Sequence, residues 1–238
     1  MVIFLGDLLQ YYLFVNFKTY EEASSQRALS LARLLSSFYT GEVEIIPVCQ
    51  SLDIEGISRE ISLKIFAQHA DPVDFGSNTG KIVPRALQKS GAFGTILNHA
   101  ENKVSNEHIK NTIERCRGAG LKVMVCAESL QRAKEIAAFS PDFIAIEPPE
   151  LIGGNISVSS AKPELISGSV EAIKKIDPKI IVITGAGIKT GQDVAAAIKL
   201  GTAGVFVASG IVLAQDKEYA IRTLLEGFPS GKDEGTMP

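Results

Sequence analysis

Short apolar runs recur along the chain at residues 13–15, 43–48, 64–67, 95–97, 122–126, 143–146, 180–183 and 203–207. They are continuous Val, Ile and Phe stretches rather than alternating ones. Continuous runs suit strands buried on both faces, which means a parallel sheet covered by helices. Between them the apolar residues return every three or four positions. Residues 21–38 carry Ala28, Leu31, Leu34 and Leu35 at that spacing, and 106–119, 130–139, 163–176 and 192–200 read the same way. Ser105 precedes the second of these and is placed to cap it. Gly118, Gly120 and Gly201 stand where helices should stop.

Strands alternating with helices indicate βα units. Eight such units in 238 residues average about 30 residues each, the size of one βαβ step. They can close into a single (β/α)8 barrel, with a doubly wound open sheet as the competing α/β architecture. No Pro/Gly/Ser-rich linker or charge run divides the chain. The reading is therefore one barrel domain over residues 12–225. Residues 1–11 form a divergent N-terminal extension, and 226–238 a polar tail in which disorder is expected.

Composition narrows the function. The chain has 45% hydrophobic and 21% charged residues, with 24 Lys+Arg against 27 Asp+Glu and a net charge of −3. That balance lacks the basic surplus of a non-specific nucleic-acid binder, and no nucleic-acid partner is expected. Three cysteines, Cys49, Cys116 and Cys126, form no CxxC pair, which fits a reducing, cytoplasmic compartment and argues against a zinc site. The apolar opening, residues 1–15, has no basic n-region or cleavage site and falls short of the ~20 residues that span a bilayer. No membrane partner is expected, and the segment reads as a buried strand preceded by a few extra residues.

In a barrel of this kind chemistry belongs at the C-terminal ends of the strands, and the loops after strands seven and eight commonly bind phosphate. Asn16 and Lys18 follow the first strand and His69 the third. Asn98, His99 and Glu101 follow the fourth, and Glu147 the sixth. Gly185–Gly187 and Ala208–Gly210 follow the seventh and eighth. Acidic, basic and imidazole groups thus converge on one rim beside small-residue turns. Several lookalikes fail. Gly76–Lys81 lacks one residue of a nucleotide-binding P-loop and has Ile82 where Ser or Thr must bind magnesium. Gly185–Gly191 is not GxGxxG, and Asn155-Ile156-Ser157 is a glycosylation sequon expected by chance. No metal motif or cofactor fingerprint is present, so no cofactor or metal is expected. His69 and Cys126 read as structural and His108 as a helix-surface residue.

The segment Val15-Asn16-Phe17-Lys18-Thr19-Tyr20 resembles the N-terminal active-site motif of the triosephosphate isomerase family. Three further segments agree in the family's order: Leu97-Asn98-His99-Ala100-Glu101-Asn102-Lys103, then Ile146-Glu147-Pro148-Pro149-Glu150-Leu151-Ile152-Gly153, then Gly185-Ala186-Gly187-Ile188 with Phe206-Val207-Ala208-Ser209-Gly210. The Pro-Pro-Glu-Leu segment and the short chain resemble the archaeal branch. The resemblance implies interconversion of D-glyceraldehyde 3-phosphate and dihydroxyacetone phosphate, in glycolysis and gluconeogenesis, without a cofactor. It implies Glu147 as the base, His99 as a neutral electrophile, and Lys18 and Asn16 as oxygen and phosphate contacts beside Phe17. Glu101 lies behind Lys18. Phosphate would be held by Ile152, Gly153, Gly187, Ala208 and Ser209, with a short helix beginning near Ser209, under a lid spanning 148–157.

The resemblance also implies a homo-oligomer, dimer or tetramer, with Thr79 on the interlocking loop 71–80 reaching toward a neighbouring subunit. Two departures stand out. Ala100 replaces the serine that usually holds the base in the open state. Gly153-Gly154-Asn155 replaces Gly-Thr-Gly at the lid end. Two other readings remain: another phosphate-binding barrel isomerase or epimerase, and a non-catalytic barrel that binds without turnover. The first is not expected to carry Asn-x-Lys at strand one together with His-x-Glu at strand four.

Overall fold

The computed structural model describes residues 10–148 and 162–229. Eight parallel strands close into a barrel in chain order. They are β1 Tyr11–Asn16, β2 Val43–Cys49, β3 Phe66–Ala67, β4 Gly94–Leu97, β5 Lys122–Ala127, β6 Phe143–Ile146, β7 Ile181–Gly185 and β8 Gly204–Val207. The first strand pairs with the last from Tyr12 opposite Gly204 to Val15 opposite Val207. That pairing excludes the open sheet.

Closure needs a glycine at this seam. A Cβ added to Gly204 would lie 2.1 Å from the Tyr12 carbonyl oxygen. Among the described residues the outer layer is nine α-helices: α1 Gln26–Ser37, α2 Ser51–Ser58, α3 Pro84–Lys89, α4 Asn106–Gly118, α5 Leu130–Ala137, α6 Pro163–Ile176, α7 Gly191–Lys199, α8 Ser209–Val212 and α9 Lys217–Leu225.

The continuous apolar runs feed two separate cores. Leu13 and Val15 face outward into the layer shared with the helices. Phe14 between them turns inward to meet Ile46, Phe66, Ile96, Met124, Phe143 and Phe206. Its ring lies edge-on to Phe66 at 5.2 Å and to Phe143 at 5.4 Å. Full burial of one such side chain contributes about 1.5–3 kcal/mol. The barrel interior is thus a solid plug, and polar side chains gather above it at the strand ends.

Helix starts follow local chemistry. Ser105 Oγ accepts the His108 backbone N–H at 3.1 Å and caps α4. Thr190 and Asp193 form a reciprocal capping box at α7.

Boundaries shift where the pattern is weak. The single helix expected over 21–38 is instead a 3-10 turn, Glu21–Ala23, followed by α1. Ser25 between them has φ 54°, a left-handed geometry that interrupts a helix, and its N–H is drawn to Asp53 Oδ1 at 3.1 Å. The third strand shrinks from 64–67 to Phe66–Ala67. Helices α2, α3 and α9 are additional to the expected set.

Candidate active site

The turn after β1 is held from two sides. Asn16 Oδ1 accepts the Lys18 backbone N–H at 3.0 Å, and Gln68 Nε2 donates to the Lys18 carbonyl at 2.8 Å. Lys18 itself has φ 47°, an uncommon conformation for a non-glycine residue that this pair of contacts supports. The side chain runs across the barrel mouth to Glu101, with Nζ 2.5 Å from Oε1. The Lys18 side chain is 13% exposed and that of Glu101 59%. With one partner largely in solvent the pair orients Lys18 more than it stabilises the fold.

The loop after β4 is clamped by Asn98. Its Nδ2 donates to the Cys126 carbonyl at 2.9 Å and its Oδ1 accepts the Val104 N–H at 3.2 Å. This fixes His99, which is buried. The Glu101 backbone N–H donates to His99 Nδ1 at 3.2 Å. A backbone N–H only donates, so Nδ1 carries the lone pair. The imidazole is then neutral, with its proton on Nε2. The Glu101 carboxylate lies 3.6 Å from the same Nδ1. Nε2 points across the cleft, 4.0 Å from Glu147 Oε2.

Glu147 follows β6, its N–H donating to the Ala127 carbonyl at 2.9 Å. The side chain is buried, and Oε2 has no hydrogen-bond partner among the described residues. Burial pushes the carboxyl pKa up, against the opposing pull of the Cys126 thiol and Lys18. The carboxylate is therefore a stronger base than one in water. Gly185 makes the space for it: an added Cβ there would meet Glu147 Oε1 at 2.6 Å and Cγ at 2.9 Å.

The opposite wall is backbone. Ala186 and Gly187 have φ 69° and 73°, and α8 opens at Ser209 immediately after β8. Together with Asn16, Lys18, His99 and Glu147 they bound a solvent-open cleft of about 500 Å³. One side holds a base and a neutral N–H donor. The other presents backbone amides and a cation. Such a cavity suits an anionic ligand whose reacting carbon lies between Glu147 and His99.

The sequence model of the family described as triosephosphate isomerase matches residues 11–224. The chain belongs to the triosephosphate isomerase family. Among curated triosephosphate isomerases it is 43% identical to that of Methanobrevibacter smithii over 212 residues, which covers 89% of this chain and 96% of the relative. It is 39% identical to that of Methanothermus fervidus over 214 residues, covering 89% and 96%. Triosephosphate isomerase from Bartonella henselae superposes with a TM-score of 0.74 at 16% identity, over 91% of this chain and 98% of that one. The last likeness speaks for the fold, and the first two tie the chain to archaeal members of the triosephosphate isomerase family.

Most residues singled out by the triosephosphate isomerase resemblance converge on the cleft: Asn16, Lys18, His99, Glu147, Gly187, Ala208 and Ser209 line it, and Glu101 stands behind Lys18. Phe17 does not. Its side chain is buried in the outer core, and its N–H donates to the Val48 carbonyl at 3.0 Å. Ile152, Gly153 and the lid beyond Pro148 lie outside the described residues. Thr79 is exposed on the loop after β3. His108 is not a plain surface residue: its ring stacks on His69 at 5.4 Å.

Two residues are more important here than the sequence reading made them. Gln68 braces the Lys18 turn. Cys126 faces the barrel interior, and its thiol contacts Glu147. A polar residue directly after β3 was the available signal for Gln68. Cys126 had none, because a buried thiol resembles any small core residue.

Proposed function

We infer that this chain interconverts D-glyceraldehyde 3-phosphate and dihydroxyacetone phosphate, the isomerisation used in glycolysis and gluconeogenesis. The observation that carries the reading is the His99 tautomer. A neutral imidazole with Nε2–H aimed across the cleft at a desolvated carboxylate whose Oε2 has no hydrogen-bond partner among the described residues is the acid–base pairing known for this family.

The Glu147 carboxylate takes a proton from the carbon beside the substrate carbonyl. The C–H electron pair forms the new C=C bond, and the carbonyl π electrons move onto oxygen. His99 Nε2–H and the Lys18 ammonium stabilise that oxygen as negative charge develops. Proton transfer between the two oxygens through His99 and return of the carbon-bound proton by Glu147 to the neighbouring carbon complete the isomerisation. Every proton and electron is conserved without a cofactor or metal. Asn16 orients the substrate oxygen and holds Lys18. Glu101 positions both Lys18 and the His99 ring.

Phosphate binds to backbone amides of Gly187, Ala208 and Ser209, with Ile152 and Gly153 of the lid closing over it and excluding water. Phe17 contributes through the backbone of its turn. The assembly is a homo-oligomer in which Thr79 faces a neighbouring subunit, and the enzyme works in the cytoplasm. Among the described residues no helix is long and apolar enough to cross a membrane. A coupled assay with D-glyceraldehyde 3-phosphate tests the reading. Phosphate-analogue binding without turnover would favour the binding-module alternative, and turnover of a different sugar phosphate alone would favour the other barrel isomerases.

A further inference from the structure

Beyond the cleft, two imidazoles and a carboxylate meet where the segment after β3 passes the first turn of α4. One nitrogen of His69, one nitrogen of His108 and one oxygen of Asp71 all lie within 4.8 Å of one another. The His69 and Asp71 side chains are only 19% and 7% exposed. We propose that His69, Asp71 and His108 form a binding site for a divalent transition-metal cation of the zinc type.

The spacing carries the argument. His69 Nε2 and Asp71 Oδ1 are 3.6 Å apart, too long for a hydrogen bond. Ligands at about 2.0–2.1 Å around a tetrahedral zinc ion stand roughly 3.3 Å from each other, so the His69–Asp71 pair is near that spacing and the His108 nitrogen, within 4.8 Å of both, closes on an ion by moving up to about 1.5 Å. The two imidazoles stack with an interplanar angle of 26°. They are fixed from outside the cluster: His108 Nε2 is 3.2 Å from the Ala70 carbonyl, and His69 Nδ1 is 3.3 Å from the Asn102 amide. Turning that amide by half a rotation lets its oxygen accept Nδ1–H and leaves the Nε2 lone pair for the metal, the outer support usual for a metal-bound histidine.

Asp71 is anchored through its other oxygen, which accepts the Ile82 N–H at 2.8 Å. Two side chains on one short segment and one on a capped helix give three ligands, with water completing the coordination. One cation already competes: Lys81 Nζ lies 3.0 Å from Asp71 Oδ1. Its side chain is 53% exposed and can swing into solvent as the metal enters. Binding would lock the segment after β3 onto α4 and, through Asn102, onto the loop that carries His99.

The test uses the full chain without a histidine tag, stripped of metal by a chelator, and titrated with cobalt(II) and then zinc(II). Cobalt should give saturable visible bands of a four- or five-coordinate site that zinc displaces. Zinc at about a hundredfold excess over its Kd should raise Tm by about 5 °C or more. His108→Ala should weaken cobalt affinity at least about tenfold while far-UV circular dichroism stays unchanged. His108→Asn serves the same purpose should alanine loosen the helix. Lys81→Met should tighten binding by freeing Asp71, an effect that a purely hydrogen-bonded cluster would not show. Absence of saturable binding at millimolar metal would overturn the proposal. So would cobalt affinity that survives His108 substitution or disappears in His99→Ala.

Discussion

Gly185→Ala isolates the placement of the base from every other feature of the cleft. The new Cβ would sit 2.6 Å from Glu147 Oε1, 2.9 Å from Cγ and 3.0 Å from Cδ. Non-bonded heavy atoms settle near 3.5 Å, so the carboxylate has to withdraw by about 1 Å. Glu147 Oε2 has no hydrogen bond to lose, the side chain borders an open cleft, and the contact at stake is the weak one from the Cys126 thiol, so the shift should cost little stability. Catalysis should suffer more, because a displacement of about 1 Å in a reacting group costs about 100-fold in rate, or roughly 2.7 kcal/mol of barrier. Steady-state kinetics in both directions, with inhibition by a phosphate-bearing substrate analogue, separates the two effects. The expected result is a kcat lower by about two orders of magnitude with the inhibition constant nearly unchanged and Tm within a few degrees. A kcat equal to the unsubstituted enzyme would refute the claim that Gly185 sets the position of Glu147. An equal loss of inhibitor affinity would show that the substitution damages the whole pocket.

Other substitutions probe separate parts of the cleft. Glu147→Asp should lower turnover by orders of magnitude with analogue affinity nearly intact, since only the base retreats; kinetics with inhibitor titration reads both. Gly187→Val should chiefly weaken analogue binding, because Gly187 has φ 73° and lines the cleft, and calorimetry measures the loss. Burial raises the folded-state pKa of Glu147 above its ordinary value, so the folded state favours the protonated carboxyl. The stability this group contributes is complete below its unfolded pKa and declines as pH rises through the folded pKa. Glu147→Gln should therefore raise Tm at neutral pH, and thermal melts should show the gain fading on acidification. All three cysteines are buried, and burial pushes the Cys116 thiol up to about 12 and Cys126 well above its usual value. A thiol reagent at mildly alkaline pH should label none of them in the native enzyme and all three after unfolding.

What the sequence made legible follows from which forces act locally. The strand runs and most helix faces are read from nearest neighbours in the chain. The strand boundaries agree to within a residue or two, with β3 keeping only Phe66 and Ala67 of its run, while the helix expected from residue 21 begins only at Gln26. The family motifs likewise brought Asn16, Lys18, His99 and Glu147 to one rim, because each lies at a strand end. Helix α2 escaped notice because Ser51–Ser58 is short and has only Ile54 and Ile57 buried. The break at Ser25 depends on Asp53, far along the chain. The His99 tautomer is set by a backbone amide in the folded β4–α4 loop. The crowding of Gly185 against Glu147 joins two adjacent strands. The pairing of His69 with His108 unites a loop and a helix 38 or more residues apart. Each of these is a tertiary coincidence that no local spacing encodes.

The central claim is that Glu147 and His99 move a proton between neighbouring carbons of a triose phosphate. The most direct test is to run the isomerisation in heavy water, starting from each triose phosphate in turn, and to follow substrate and product by proton NMR. Interconversion is expected in both directions, with solvent deuterium appearing on the product carbon that receives the proton. Absence of interconversion by the folded protein would contradict the assignment of this proton transfer to Glu147 and His99.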